Sequence, residues 1–145
     1  MQLTVHTDYA LRVLLYLAHF PDRRVCTEEI STAYGISKNH LVRVVHTLAE
    51  GGFITVTLGR SGGVELARAP KAIRLGEVVR ASEASFRLVE CHDAATNTCP
   101  IVPVCGLKGI LETALGAFLA ELDKHTLADL VKSRSHKKFV QLLAG

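Results

Sequence analysis

Three cysteines in the second half of the chain have the types and spacing to act together. Cys91, Cys99 and Cys105 follow the pattern C-x7-C-x5-C, inside a stretch, 90–105, that breaks every hydrophobic periodicity and carries Pro100 and Pro103. Soft thiolates select iron–sulfur clusters, zinc or copper(I). An irregular loop suits ligands that must converge from one side. The spacing lacks the C-x2-C pairs of structural zinc sites and any C-x-x-C redox pair. Three thiolates leave a position for a fourth ligand that is not cysteine, and an oxygen or nitrogen donor there would leave the site open to a small molecule. His92 and Asp93 are the local candidates. Zinc, or three thiols with no ligand at all, are the competing explanations. Cys26 stands far away in sequence and reads as structural.

A second set of residues could contact nucleic acid. Thr27 is a suitable N-cap with Glu28 and Glu29 behind it, opening a short helix that runs to about Tyr34. Gly35-Ile36-Ser37 makes a tight turn, and Ser37 caps a helix to about Glu50 with Leu41, Val44, Val45 and Leu48 on its inner face. Residues 53–58 and 64–67 alternate as two strands around Gly59-Arg60-Ser61-Gly62-Gly63. Helix, glycine turn, helix and hairpin is the winged helix-turn-helix plan, in which the second helix enters the major groove. That places Ser37, Lys38, Asn39, His40 and Arg43 at base edges or phosphates, and Arg60 with Ser61 at the wing tip against a minor groove.

The remaining elements must hold these two sets. Leu11, Leu14, Leu15 and Ala18 give a helix over 4–20, ended by Pro21-Asp22, and a short helix covers 73–83 with Ile73, Val78 and Val79 inward. Leu107, Ile110, Leu111, Ala114, Leu115, Phe118, Leu119 and Leu122 form an unbroken apolar stripe on a long helix after the cysteines. Such a stripe suits pairing with a second copy, because DNA readers commonly dimerise over two half-sites. Thr126 caps a short helix beyond it, and the basic segment 132–138 reads as a solvated tail. The fold expected is mainly α with a small β-hairpin wing: a winged helix-turn-helix over 1–83, the cysteine loop over 84–105, the dimerisation helix and a short following helix over 106–131, and a tail over 132–145.

Composition agrees with this plan. The 145 residues are 48% hydrophobic, enough for a core, and carry a net charge of +3. Residues 1–80 hold ten Lys and Arg against seven Asp and Glu, whereas 81–145 hold seven of each, so the excess positive charge sits in the half assigned to DNA. No secretory signal or membrane span is evident, so a cytoplasmic protein without disulfides is expected. No nucleophile paired with a base, phosphate-cradling loop or H-E-x-x-H is present, which argues against an enzyme.

Met1-Gln2-Leu3-Thr4, Thr7-Asp8-Tyr9-Ala10-Leu11-Arg12 and Leu58-Gly59-Arg60-Ser61-Gly62-Gly63, with the three-cysteine loop before a long helix, resemble the Rrf2 family of bacterial regulators. The ending from Leu122 to Val131 is similar to the family's nitric-oxide-sensing repressors. The resemblance implies a homodimer on operator DNA, with one iron–sulfur cluster, [4Fe-4S] or [2Fe-2S], per subunit at Cys91, Cys99 and Cys105. It further implies a fourth ligand from Asp8 of the other subunit, with Arg12 in a supporting role, and nitric oxide as the signal. The family's iron–sulfur-assembly branch has a histidine three residues after the last cysteine; Lys108 stands there in this chain. A family member sensing iron supply or redox state is the alternative, and a zinc-stabilised adaptor a more distant one.

Overall fold

The structure, a computed structural model, describes residues 2–59, 62–131 and 133–143. Helix α1 spans Val5–His19, capped by Thr4, whose hydroxyl accepts the Thr7 N–H at 3.3 Å. Its inner side, Ala10, Val13, Leu14 and Leu17, is fully buried and forms the centre of the core. Helix α2 (Thr27–Tyr34) and helix α3 (Lys38–Glu50) pack on it, filling the interior with Ile30, Ile36, Leu41, Val44 and Leu48.

The turn between α2 and α3 needs Gly35, which adopts φ +64° in the left-handed region. Ser31 then donates its hydroxyl to the Ile36 carbonyl at 2.6 Å, closing the turn. The expected cap of α2 is off by one position. Cys26 is the N-cap, without a side-chain cap bond, and Thr27 is already helical. The chain enters α2 from a β-bridge between Val25 and Val64, which fixes where extended backbone ends. Across the first pair of helices, Tyr16 donates its hydroxyl to Glu29 at 2.7 Å, and Arg23 pairs with the same carboxylate. Burial and the Glu29 carboxylate push the Tyr16 hydroxyl up to about 12.

Strands β1 (Ile54–Thr57) and β2 (Gly63–Leu66) form the antiparallel hairpin, with Ile54 opposite Leu66 and Thr57 opposite Gly63. They are shorter than the alternation suggests, because Phe53 is spent on docking into the core and Leu58 lies out in solvent. Helix α4 (Leu75–Ser82) follows, with Val78 and Val79 buried, and Ile73 fills the core from the segment before it.

The long helix α5 (Leu107–Asp123) matches its expected position. Arg80 on α4 grips Asp123 at its end through two contacts of 2.7 and 2.6 Å. Helix α6 (Leu127–Leu130) starts with Thr126 and Asp129 capping each other's backbone, and buries Leu127. Beyond it the segment expected as a solvated tail forms a helix, α7 (Ser133–Leu143). Lys137 and Lys138 are exposed as expected, but Phe139 and Leu143 pack on the core, and the ring of Phe139 stacks on buried His19 at 3.8 Å. Among the described residues no helix is long and apolar enough to cross a membrane.

Candidate functional site

Helix α3 presents its polar side as the sequence requires. Ser37 holds extended backbone, and its hydroxyl accepts the His40 N–H at 3.4 Å, so the helix begins at Lys38. Ser37, Lys38, Asn39, His40 and Arg43 are all exposed, while Leu41, Val44, Val45 and Leu48 anchor the opposite side. Lys38 pairs with Glu28 of α2. Because exposed pairs of this kind contribute only about 0–1 kcal/mol, Lys38 is easily released to a phosphate. The other two expected contacts, Arg60 and Ser61, lie outside the described residues.

The start of α1 borders this face, which no spacing within α3 could reveal. Val5, His6, Tyr9, His40, Arg43 and Val44 line a cleft of about 160 Å³. His6 Nε2 meets the Thr47 hydroxyl at 3.0 Å, and the rings of Tyr9 and His40 lie 6.0 Å apart. The α1–α3 contact is therefore made partly by residues that also flank the exposed polar side chains of α3.

Tyr9 belongs to a second cluster on α1. Asp8 and Arg12, one turn apart, form a salt bridge of 2.7 Å with both side chains substantially exposed. The Arg12 guanidinium lies 5.8 Å from the Tyr9 ring centre and 5.9 Å from that of Tyr34, at the end of α2. The Tyr34 hydroxyl is buried and finds no hydrogen-bond partner among the described residues. Arg12 thus stands between a surface carboxylate on α1 and the Tyr34 ring at the end of α2.

The cysteine loop follows α4. Cys91 lies in a single 3-10 turn, Glu90–His92, and Cys105 ends another, Val102–Val104. All three cysteines are half-buried, free thiols. The loop backbone is held by acidic and amide side chains. Asp93 accepts the Ala95 N–H at 3.0 Å and the Thr96 hydroxyl at 3.1 Å and pairs with Arg87. Those donors, the Ala95 N–H foremost, hold its carboxyl below the usual range. Glu90 accepts both the N–H and the hydroxyl of Thr98 at 2.7 Å, which lowers its carboxyl likewise. Asn97 accepts the Cys99 N–H at 3.2 Å.

These bonds bear on the two local candidates for a fourth ligand. Asp93 is engaged on three sides. His92 Nδ1 accepts the Leu88 N–H at 3.4 Å. Nε2 is buried and has no partner among the described residues. The thiols are not gathered with it: among the described residues no three His, Cys, Asp or Glu side chains stand close enough together to hold a metal ion.

Helix α5 has an unusual burial pattern. None of its 17 residues is buried, despite the apolar stripe. Leu111, Leu115, Phe118 and Leu122 face hollows that they share with Leu3, Leu11, Leu15, Leu75 and Val79. Gly106, Gly109, Ile110, Thr113, Ala114 and Ala117 make an open face on another side, with Leu107 and Ile110 exposed by 54% and 67%. One helix therefore carries apolar surface on more than one side.

Comparison with known proteins agrees with this geometry. A family model described as "Rrf2: Iron-dependent Transcriptional regulator" matches residues 3–133. The chain is 50% identical over 135 residues to the HTH-type transcriptional regulator NsrR of Bacillus subtilis (strain 168), covering 92% of each protein. It is 48% identical over 132 residues to the regulator of the same name from Halalkalibacterium halodurans, covering 90% of each. The solved structure of IscR from T. potens superposes with a TM-score of 0.71 at 24% identity, covering 90% of this chain and 85% of that one. CymR, the global cysteine regulator of B. subtilis, superposes with a TM-score of 0.69 at 22% identity, covering 90% and 95%. These two structures share the fold.

Proposed function

The chain belongs to the Rrf2 family of transcriptional regulators, and on that footing we propose that it is a homodimeric repressor whose hold on operator DNA is set by an iron–sulfur cluster that nitric oxide attacks. The observation that carries this reading is three free, half-buried thiols on one loop whose carboxylates, Glu90 and Asp93, are already engaged by loop hydrogen bonds. The donor chemistry suits a cluster: three soft sulfur ligands on one loop, each half-buried and none in a disulfide. Cys91, Cys99 and Cys105 would supply three ligands, and Asp8 of the partner subunit the fourth. When bound, the cluster supplies iron with one weak oxygen ligand, the position most open to a small diatomic molecule.

The protein's own residues connect that position to DNA. An exposed i,i+4 pair contributes only about 0.3–0.5 kcal/mol, so the Asp8–Arg12 bridge gives way to any stronger claim on the carboxylate. Asp8 can serve Arg12 or a ligand site across the dimer with little cost to the fold. Arg12 lies beside Tyr9 and Tyr34. Tyr9 lies against His40, at the start of the reading helix. The two positions of the Asp8 carboxylate thus bias α1 against α3, and only such a bias can control DNA affinity. Ser37, Lys38, Asn39, His40 and Arg43 would meet the major groove, and Arg60 with Ser61 the minor groove.

The test is protein purified without oxygen, with iron and sulfide assayed and the visible spectrum recorded. Iron and sulfide in cluster ratio with visible absorption support the reading. Zinc, with no visible band, contradicts it and leaves a zinc-stabilised DNA binder.

A further inference from the structure

The solvent side of α3 carries one residue that folding does not explain. Lys38, Val42 and His46 follow one another at one-turn spacing, flanked by Asn39 and Arg43, on the side away from Leu41, Val44 and Leu48. Val42 is 65% exposed in the middle of this strip. A β-branched residue in an exposed helix position costs up to about 0.7 kcal/mol against alanine, and in solvent it gains no burial in return. Its neighbours are turned to other partners. Lys38 pairs with Glu28, and His46 Nδ1 lies 3.1 Å from Glu50. Val42 stays uncovered between them.

A single valine ringed by polar and basic side chains is too small a patch to seat an apolar protein partner. It is the right size for one methyl group in a polar groove. The major groove of DNA displays one such group: the C5-methyl of thymine, which is read by apolar contact and not by hydrogen bonds. Valine suits the task, because its stiff χ1 leaves little side-chain freedom to lose on binding. Asn39 and Arg43, on the same side of the helix, would take the donors and acceptors of adjacent base edges.

We propose that Val42 is a specificity-determining residue that reads a thymine methyl in each half-site, making an A·T pair the preferred one at that position. The proposal rests on α3 being the reading helix, and it adds a base preference that none of the polar residues supplies.

The experiment begins with wild-type protein, purified without oxygen, selecting duplexes from a randomised pool. Each thymine of the selected site is then replaced singly by deoxyuridine, which removes only the methyl, and binding is measured by fluorescence anisotropy. Wild type should lose about three- to fivefold at one thymine per half-site, the scale of one lost methyl contact. Val42→Ala should bind the thymine duplex more weakly by a similar factor and be indifferent to deoxyuridine at that position. The inference is overturned if every deoxyuridine is neutral for wild type. It is equally overturned if Val42→Ala responds to deoxyuridine as wild type does, or weakens on all duplexes alike. A pool that yields no enriched sequence overturns the assignment of α3 to DNA itself, and the inference with it.

Discussion

Asp8 and Arg12 hold each other at 2.7 Å on the exposed surface of α1, and the same arginine lies within 6 Å of the Tyr9 and Tyr34 ring centres. A weak ion pair therefore stands at the junction of α1 and α2. Asp8→Ala should change thermal stability of the cluster-free chain little, on the order of 0.5 kcal/mol, because the pair is solvated. In cluster-loaded protein the same substitution should change the visible spectrum or speed cluster loss. An unchanged spectrum and lifetime would remove Asp8 from the ligand set.

The proposed dimer is testable on α5. A helix with an apolar stripe and no buried residue within one chain calls for a second surface, and burying about 25 cal/mol per Å² makes that association favourable. Ile110→Glu puts a charge on the open face beside Gly109 and Ala114. Light scattering should then report a monomer where wild type is a dimer. A variant that stays dimeric would place the interface on another side of α5.

The α4–α5 junction depends on the absence of a side chain at Gly76. A Cβ there would come within 1.9 Å of the Asp123 carboxylate, which Arg80 holds by two contacts. Gly76→Ala must push that carboxylate away. The helix gains about 1 kcal/mol of intrinsic propensity, so a net loss of stability shows that the junction outweighs it. Denaturant unfolding should give a midpoint below wild type; an equal or higher midpoint would show that Asp123 moves aside freely.

Acid should loosen α7. His19 is buried, its Nδ1 lies 3.1 Å from Nδ1 of His136, and Phe139 stacks on its ring. Burial first, and the His136 charge second, lower its pKa from the ordinary 6.5. The folded chain then binds fewer protons than the unfolded one as pH drops below about 6.5. The stability is present above that pH and is lost as pH falls toward the folded pKa. Melting temperature should fall more steeply between about pH 7 and about pH 5.5 for wild type than for His19→Gln, which cannot titrate. Parallel slopes would contradict this role for His19.

Much of the fold was legible because its signals are local. The stripe of α5, the Ser37 cap and the inner face of α3 each repeat at helical spacing within one element, and each stands where expected. The turn into α2 was read one residue late, because a distant β-bridge at Val25 and Val64 decides where that helix begins. Helix α7 was missed because its polar, basic composition hides the two residues, Phe139 and Leu143, that dock it on the core. The candidate site was read from its residue types and their spacing. Its connections were not, because Arg12 meets Tyr34 and Tyr9 meets His40 only after three helices have packed. Val42 was passed over because an apolar residue within a helix reads as core until its exposure is known.

In the proposed function, the cluster governs DNA binding and nitric oxide undoes it. The direct measurement is operator anisotropy on cluster-loaded protein, titrated with nitric oxide without oxygen, while the visible spectrum follows the cluster in the same cuvette. Release of DNA in step with loss of the cluster bands, with Cys99→Ser protein unable to respond, is the result predicted. Complete loss of the bands with DNA still bound would contradict it.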